Sequence, residues 1–236
     1  MAEQLTQRLG QQKHCRRRTQ TILTPIWPKG RLCDNSNIMA QITSATRHNL
    51  SFEAYCKKSA ELIEAAGRHL DAAKVEAAVS HVVKAIRSEH PVLVCGNGGS
   101  AADAMHITGE LVGRFLIERK ALSIICLTSN AAFLTAWAND YDYETVFSRQ
   151  VEAYGRSGGV IIGVSTSGNS VNVLRAFDAA QKLNMTTIAL TGEGGGKLAA
   201  KSNILLDAPS RSTPLVQQVH ICIYHYLCQR IEEQCS

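Results

Sequence analysis

The chain has 236 residues, of which 45% are hydrophobic and 19% charged, a composition typical of a globular domain with a sizeable core. No apolar run approaches the ~20 residues of a membrane-spanning helix, so no membrane partner is expected. The net charge of +5 arises in residues 1–38, which carry seven Lys or Arg and two acidic residues. The rest of the chain is neutral overall and offers no basic field for nucleic acid.

The N-terminal segment, residues 1–38, has no hydrophobic periodicity and contains three consecutive arginines. We expect it to be a disordered extension that precedes a domain spanning residues 39–236, with Met39 as an alternative start. Apolar positions at helical spacing over about 46–89 predict an N-terminal pair of amphipathic helices, the second of which is capped by Asp71.

Predicted strands and helices alternate through the core region, about residues 91–236. Five apolar runs predict strands: PVLVC (91–95), LSIICLT (122–128), GVIIGV (159–164), MTTIALT (185–191) and NILLDA (203–208). Helical segments are predicted at about 100–115, 131–138, 143–154, 170–183 and 214–233. Continuous apolar strands that alternate with helices indicate a parallel sheet covered on both faces. The last helix is apolar on most faces, so we expect it to be buried in the protein or between subunits.

The chain contains eight cysteines and no CxxC pair. Cys95 and Cys126 end strand-like runs, and Cys222 and Cys228 lie in the apolar last helix. This pattern indicates small buried side chains in a reducing compartment, and therefore a cytoplasmic protein, rather than disulfides or a structural zinc cluster.

The first predicted strand ends in a glycine-rich loop that opens a helix, with Gly96, Gly98 and Gly99 in sequence. Such a junction presents free backbone N–H groups and the positive end of a helix dipole to an anion. The loop lacks the GK[ST] of a P-loop. It matches the dinucleotide pattern G-x-G-x-x-A only loosely, and the second strand ends at residues 128–130 without an acidic residue to bind a ribose.

A second loop of similar design, GVSTSGNS (163–170), follows the third predicted strand. Its hydroxyls and N–H groups form a neutral cradle suited to the phosphate of a small phosphoester. The alternative is a turn with helix-capping serines. Two such loops at the carboxyl ends of neighbouring strands predict a binding crevice at that edge of the sheet.

These motifs resemble a known family. CGNGGSAADAMH (95–106), GVSTSGNS and ALTGEGGGKLA (189–199) resemble the sugar isomerase (SIS) domain. DAMHITGELVGRF (103–115), WANDYDYETVFSRQVEAYG (137–155) and VQQVHICIYH (216–225) narrow the resemblance to the phosphoheptose isomerases, which interconvert sedoheptulose 7-phosphate and D-glycero-D-manno-heptose 7-phosphate. The resemblance implies one α/β SIS domain with a flavodoxin-like, doubly wound, five-stranded parallel sheet. It also implies a homotetramer and a sugar-phosphate substrate for heptose biosynthesis.

His106 and Glu110 are one helical turn apart, so they share a face of the helix that follows the first loop. Aldose–ketose isomerisation needs groups that move a proton between neighbouring carbons, and a carboxylate and an imidazole suit that task. The resemblance implies that Glu110 is the base and His225 the acid. It also implies one Zn²⁺ held by His106, Glu110, Gln217 and His225. Because Gln217 and His225 are eight residues apart, a rise of ~12 Å, they share an ion only if they lean towards each other.

Eleven residues are expected to bind substrate: Asn97, Gly98, Gly99, Ser100, Arg114, Asn130, Ser165, Thr166, Ser167, Ser170 and Gln217. Asn130 stands where family members often have aspartate, which leaves a hydrogen-bonding group but no base. Arg114 equally suits a surface ion pair, and His220 is expected in the core or an interface.

A second function remains open, that of a non-catalytic SIS regulator. Such a protein would bind a replication-initiator protein or sense a sugar phosphate without converting it. Glu110 and His225 favour the enzyme.

Overall fold

Five parallel strands form the centre of the molecule, in a computed structural model that describes residues 50–236. They are β1 (Val92–Gly96), β2 (Ile124–Cys126), β3 (Val160–Ser165), β4 (Thr186–Thr191) and β5 (Ile204–Asp207). Their order across the sheet is β2-β1-β3-β4-β5. This is the flavodoxin-like order that the family resemblance implies. The predictions for residues 1–38 and for Met39 lie outside the described residues.

Seven α-helices surround the sheet in residues 50–236. They are α1 (Phe52–His69), α2 (Ala72–Arg87), α3 (Gly99–Val112), α4 (Ala131–Asp140), α5 (Val146–Tyr154), α6 (Val171–Lys182) and α7 (Thr213–Cys235). Two 3-10 helices, Tyr143–Thr145 and Gly196–Lys201, lie between them. The Asp71 side chain accepts a hydrogen bond from the Ala73 N–H at 2.8 Å, which confirms the predicted cap of α2.

The two faces of the sheet carry separate cores because successive side chains of a strand point in opposite directions. Val92 and Val94 of β1 pack in the layer formed by α2, α3 and α7, whereas Leu93 and Cys95 pack in the layer formed by α5 and α6. Every residue of β1 is buried, as expected for a strand covered on both sides. The predicted layer architecture is therefore confirmed.

Two expectations need correction. The second predicted strand, 122–128, is reduced to Ile124–Cys126, because β2 pairs with β1 alone at the edge of the sheet and the chain then turns away. The sequence predicts a buried Cys222, but this side chain is exposed, because it lines an open groove between α1, α2 and α7. Cys95, Cys126 and Cys228 are buried as predicted.

Candidate functional site

The two predicted loops lie side by side at the carboxyl edge of the sheet. Their strands, β1 and β3, are neighbours whose register pairs Gly96 with Val164. Asn97 of the first loop and Asn172 at the start of α6 exchange two amide hydrogen bonds, each 2.8 Å long. The Tyr143 hydroxyl also donates to Oδ1 of the Asn97 side chain at 3.2 Å. This polar clamp fixes the loops to one another.

The glycine loop has no room for side chains. Gly98 caps α3 with a φ of 55°, a conformation that favours glycine. A Cβ added to Gly99 would lie 1.9 Å from Gln217 Nε2. Within residues 50–236, the backbone N–H groups of Gly99 and Ser100 have no hydrogen-bond partner. The loop therefore presents free donors at a helix N-terminus, beside the amide of Gln217.

The second loop divides its hydroxyls between structure and solvent. Ser165 is buried, and its hydroxyl lies 2.9 Å from that of Ser170. Ser170 is the N-cap residue before α6, but its side chain makes no capping hydrogen bond. Thr166 is partly exposed and Ser167 is exposed. Ser167 Oγ accepts a hydrogen bond from the Asn169 N–H at 3.2 Å, so Ser167 also helps to shape the loop. Thr166 and Ser167 still have hydroxyl protons to donate to a ligand, while Ser165 and Ser170 hold the loop in shape.

Helices α3 and α7 run side by side in the same direction, so residues at the same distance from the start of the contact lie next to each other. Gly99 lies beside Gln217, and two turns later His106 lies beside Tyr224. The same contact brings His225 to His106, with ring centroids 5.0 Å apart. One ligand atom from each of His106, Glu110 and His225 can be chosen so that all three lie within 4.8 Å of one another.

The three-residue cluster has the chemistry of a metal site. His106 Nε2 lies 2.9 Å from Glu110 Oε1. His225 Nε2 is buried and has no hydrogen-bond partner among the described residues. Burial, and then the neighbouring His106, lower the pKa of His225, so its imidazole is neutral and able to coordinate a cation. Two imidazoles and a carboxylate fit a divalent transition metal such as zinc.

Gln217 lies apart from this cluster, at the glycine-loop end of the helix contact. The rise of α7 separates its backbone from that of His225 by ~12 Å. Its observed position favours a contact with substrate. A share in the metal site would require the side chain to turn from Gly99 towards His225.

Three further residues are placed as follows. The Asn130 side chain caps α4 by accepting from the Phe133 N–H at 3.0 Å. Arg114 is exposed and its Nε lies 3.8 Å from a Glu118 carboxylate oxygen, the surface ion pair that the sequence left open. His220 is fully buried, with Nε2 3.0 Å from the Thr191 carbonyl oxygen, and is a core histidine.

Sequence reasoning missed four residues around the site: Asn172, Tyr143, Tyr224 and Glu232. Glu232 accepts the N–H groups of residues 115–117 at 2.6–2.9 Å and pairs with Arg119, which anchors the segment after α3. Although burial opposes it, these N–H donors hold the pKa of Glu232 below its usual value. Of these four residues, only Glu232 had a signal in the sequence, because it is an acidic residue within the apolar last helix.

Comparisons with known proteins agree with this geometry. The SIS domain family model matches residues 54–192. A phosphoheptose isomerase from Rhodospirillum rubrum is 46% identical over 181 residues, which are 76% of this chain and 95% of that protein.

The chain belongs to the phosphoheptose isomerase family. A family member from Desulfovibrio desulfuricans is 54% identical over 138 residues, or 58% of this chain and 66% of that protein. The structure of the Neisseria gonorrhoeae phosphoheptose isomerase superposes with a TM-score of 0.72 at 36% identity, covering 83% of this chain and 99% of that one. The predicted family and fold are confirmed, and with them the prediction of an aldose–ketose isomerase. Within residues 50–236, no helix is both long and apolar enough to cross a bilayer.

Proposed function

We propose that the chain interconverts sedoheptulose 7-phosphate and D-glycero-D-manno-heptose 7-phosphate, a step in heptose biosynthesis. One observation carries the proposal: His106 and Glu110, on the helix that begins at the glycine loop, meet His225 of α7. This arrangement supplies proton-transfer groups at a fixed distance from a phosphate.

The phosphate is bound where the two loops meet. The N–H groups of Gly99 and Ser100 donate to its oxygens, together with the hydroxyls of Thr166 and Ser167. Helices α3 and α6 both begin at these loops, and their N-terminal dipoles favour a dianion without a lysine. Gln217, beside Gly99, donates to the phosphate or to a nearby sugar hydroxyl.

The other end of the sugar lies along α3, towards Glu110. Glu110 removes the proton from the carbon beside the carbonyl and returns it to the neighbouring carbon. His225 exchanges the hydroxyl proton. Without a cation, its lowered pKa keeps the ring neutral, with one N–H to donate and one nitrogen to accept. A zinc ion on one nitrogen would occupy the accepting position and leave the N–H to donate.

We further propose that His106, Glu110 and His225 bind one Zn²⁺. When bound, the ion supplies a Lewis acid that polarises the substrate carbonyl. His106 has no proton-transfer task of its own, so its place in the cluster is best explained by metal binding.

Incubation with sedoheptulose 7-phosphate tests the proposal directly. We expect an aldose phosphate product and, in deuterated water, exchange of a substrate C–H proton. Glu110→Gln should reduce kcat by ~10²–10⁴-fold, because the change deletes a general base while keeping its shape. Glu64→Gln is the matched control, because Glu64 is exposed on α1 and pairs with Arg68. Binding without turnover or exchange, with zinc supplied, would instead support the sensor alternative.

We also propose a homotetramer in the cytoplasm. An apolar groove between α1, α2 and α7 is lined by Ile63, Leu70, Val75 and Tyr226, a surface suited to subunit contacts. The cysteines of the described residues are all free, as in a reducing compartment. Light scattering coupled to size-exclusion chromatography should give four times the chain mass. A monomer at micromolar concentration would contradict the tetramer.

A further inference from the structure

Tyr224 is buried beside the proposed metal site although its side chain has a polar end. It is 1% exposed, and its hydroxyl lies 2.9 Å from His106 Nδ1. Within residues 50–236, this is the only hydrogen bond that its hydroxyl makes. The rings of Tyr224, His106 and His225 pack edge to face, with centroids 4.9–5.3 Å apart.

Both nitrogens of His106 therefore have assigned partners. Nε2 faces the Glu110 carboxylate at 2.9 Å, and Nδ1 faces the Tyr224 hydroxyl at 2.9 Å. A carboxylate only accepts hydrogen bonds, so without a cation the neutral tautomer that fits this contact has its proton on Nε2 and a bare Nδ1. The Tyr224 hydroxyl must then donate to Nδ1.

A cation bound by Nε2 reverses this arrangement. The proton of the neutral ring then resides on Nδ1, and the Tyr224 hydroxyl must accept it. A hydroxyl can do both, whereas a backbone carbonyl or a carboxylate could only accept. The ring can thus keep one orientation while its proton moves from one nitrogen to the other.

We propose that Tyr224 is a positioning residue that holds the His106 imidazole through Nδ1 in both of its tautomers, and so prepares Nε2 to bind zinc. The inference rests on the proposed function only for the identity of the metal. It concerns Zn²⁺ affinity and ring orientation, and neither depends on which sugar phosphate is converted.

Tyr224→Phe removes the hydroxyl and keeps the ring, so the packing around it is preserved. The His106 side chain is 45% exposed, and the metal-free variant can therefore turn its ring towards water. The zinc-bound ring cannot turn in this way, so loss of the hydrogen bond to residue 224 destabilises mainly the zinc-bound state. We expect Zn²⁺ affinity to fall by roughly tenfold or more, the range typical of a lost partner to a metal-ligating histidine. Tyr226→Phe is the matched control: Tyr226 is two residues further along α7, 44% exposed, and donates to Glu76.

The test combines two measurements on the full chain. Titration of chelator-treated protein with Zn²⁺ alone gives the affinity, and NMR of ¹⁵N-histidine-labelled protein reports the proton on each His106 nitrogen. In the zinc-bound wild type we expect an Nδ1 proton protected from exchange with solvent. That protection should be lost in Tyr224→Phe and kept in Tyr226→Phe.

Several results would overturn the inference: no zinc binding by the wild type, a solvent-exposed Nδ1 proton in its zinc-bound form, or wild-type affinity in a folded Tyr224→Phe. The wild-type spectrum tests the contact even if the variant does not fold. An absence of turnover with sedoheptulose 7-phosphate, alongside a clear loss of zinc affinity in Tyr224→Phe, would reject the substrate while the role of Tyr224 stands.

Discussion

Gly99→Ala tests whether the close contact between the glycine loop and α7 serves function or only folding. The added Cβ would lie 1.9 Å from Gln217 Nε2 and 3.0 Å from its Cδ. Packed heavy atoms lie about 3.5 Å apart, so the amide must retreat by roughly 1.5 Å. The end of a flexible side chain can move at little cost, so we expect the fold to remain intact and Gln217 to lose its place beside the loop.

The expected effect is therefore on catalysis. A misplacement of about 1 Å at a substrate-positioning group can cost ~10²-fold, so kcat/KM for the sugar phosphate should fall by about that factor. The melting temperature should stay near that of the wild type. Gly109→Ala is the matched control, because Gly109 lies in the same helix and an added Cβ would meet nothing within 4 Å. It should keep full activity and gain up to about 1 kcal/mol from helix propensity.

A double variant identifies the route of the effect. If Gly99→Ala acts by displacing Gln217, then adding Gln217→Ala should cost little more than either change alone, because both remove the same interaction. Losses that multiply would show that Gly99 acts through its own backbone N–H groups. Normal kcat/KM in Gly99→Ala would refute the reasoning altogether.

Three further predictions concern residues near the site. Glu232→Gln should destabilise the protein by about 3 kcal/mol in urea unfolding, because it leaves Arg119 as an unpaired buried charge; a loss below 1 kcal/mol would contradict this. Burial raises the pKa of Asp103 from 3.8 to about 6, so the folded state holds that proton more tightly and the contribution of Asp103 to stability should fall as pH rises from 4 to 6. In chelated protein, Asp103→Asn should remove this decline. After a discount for solvent screening, the free energy of unfolding of the variant relative to wild type should rise by on the order of 2 kcal/mol from pH 4 to pH 7.5, and an unchanged pH dependence would refute it. Asn172→Ala should raise KM several-fold more than it lowers kcat, because it releases Asn97 from the clamp; steady-state kinetics would contradict this if kcat alone changed.

Local sequence patterns were enough to predict the sheet and the two loops. Strands buried on both faces must be apolar along their whole length, so each run marks a strand. A loop that presents backbone N–H groups at a helix N-terminus needs small residues within a few positions of the strand end, as at Gly98. The cap at Asp71 is equally local, since it spans two residues. These features depend on neighbours in the chain and can be inferred without the fold.

The positions of Gln217, Tyr224 and Glu232 could not be inferred in this way. Each contacts a residue of α3, or of the segment after it, more than 100 positions earlier in the chain. A hydrophobic period shows which face of α7 is buried, but it does not show which residues of α7 lie beside which residues of α3. Packing of the apolar side chains against the sheet sets that register. Tertiary structure therefore decided that Gln217 lies at the glycine loop, that Tyr224 meets His106, and that a buried carboxylate anchors the segment after α3.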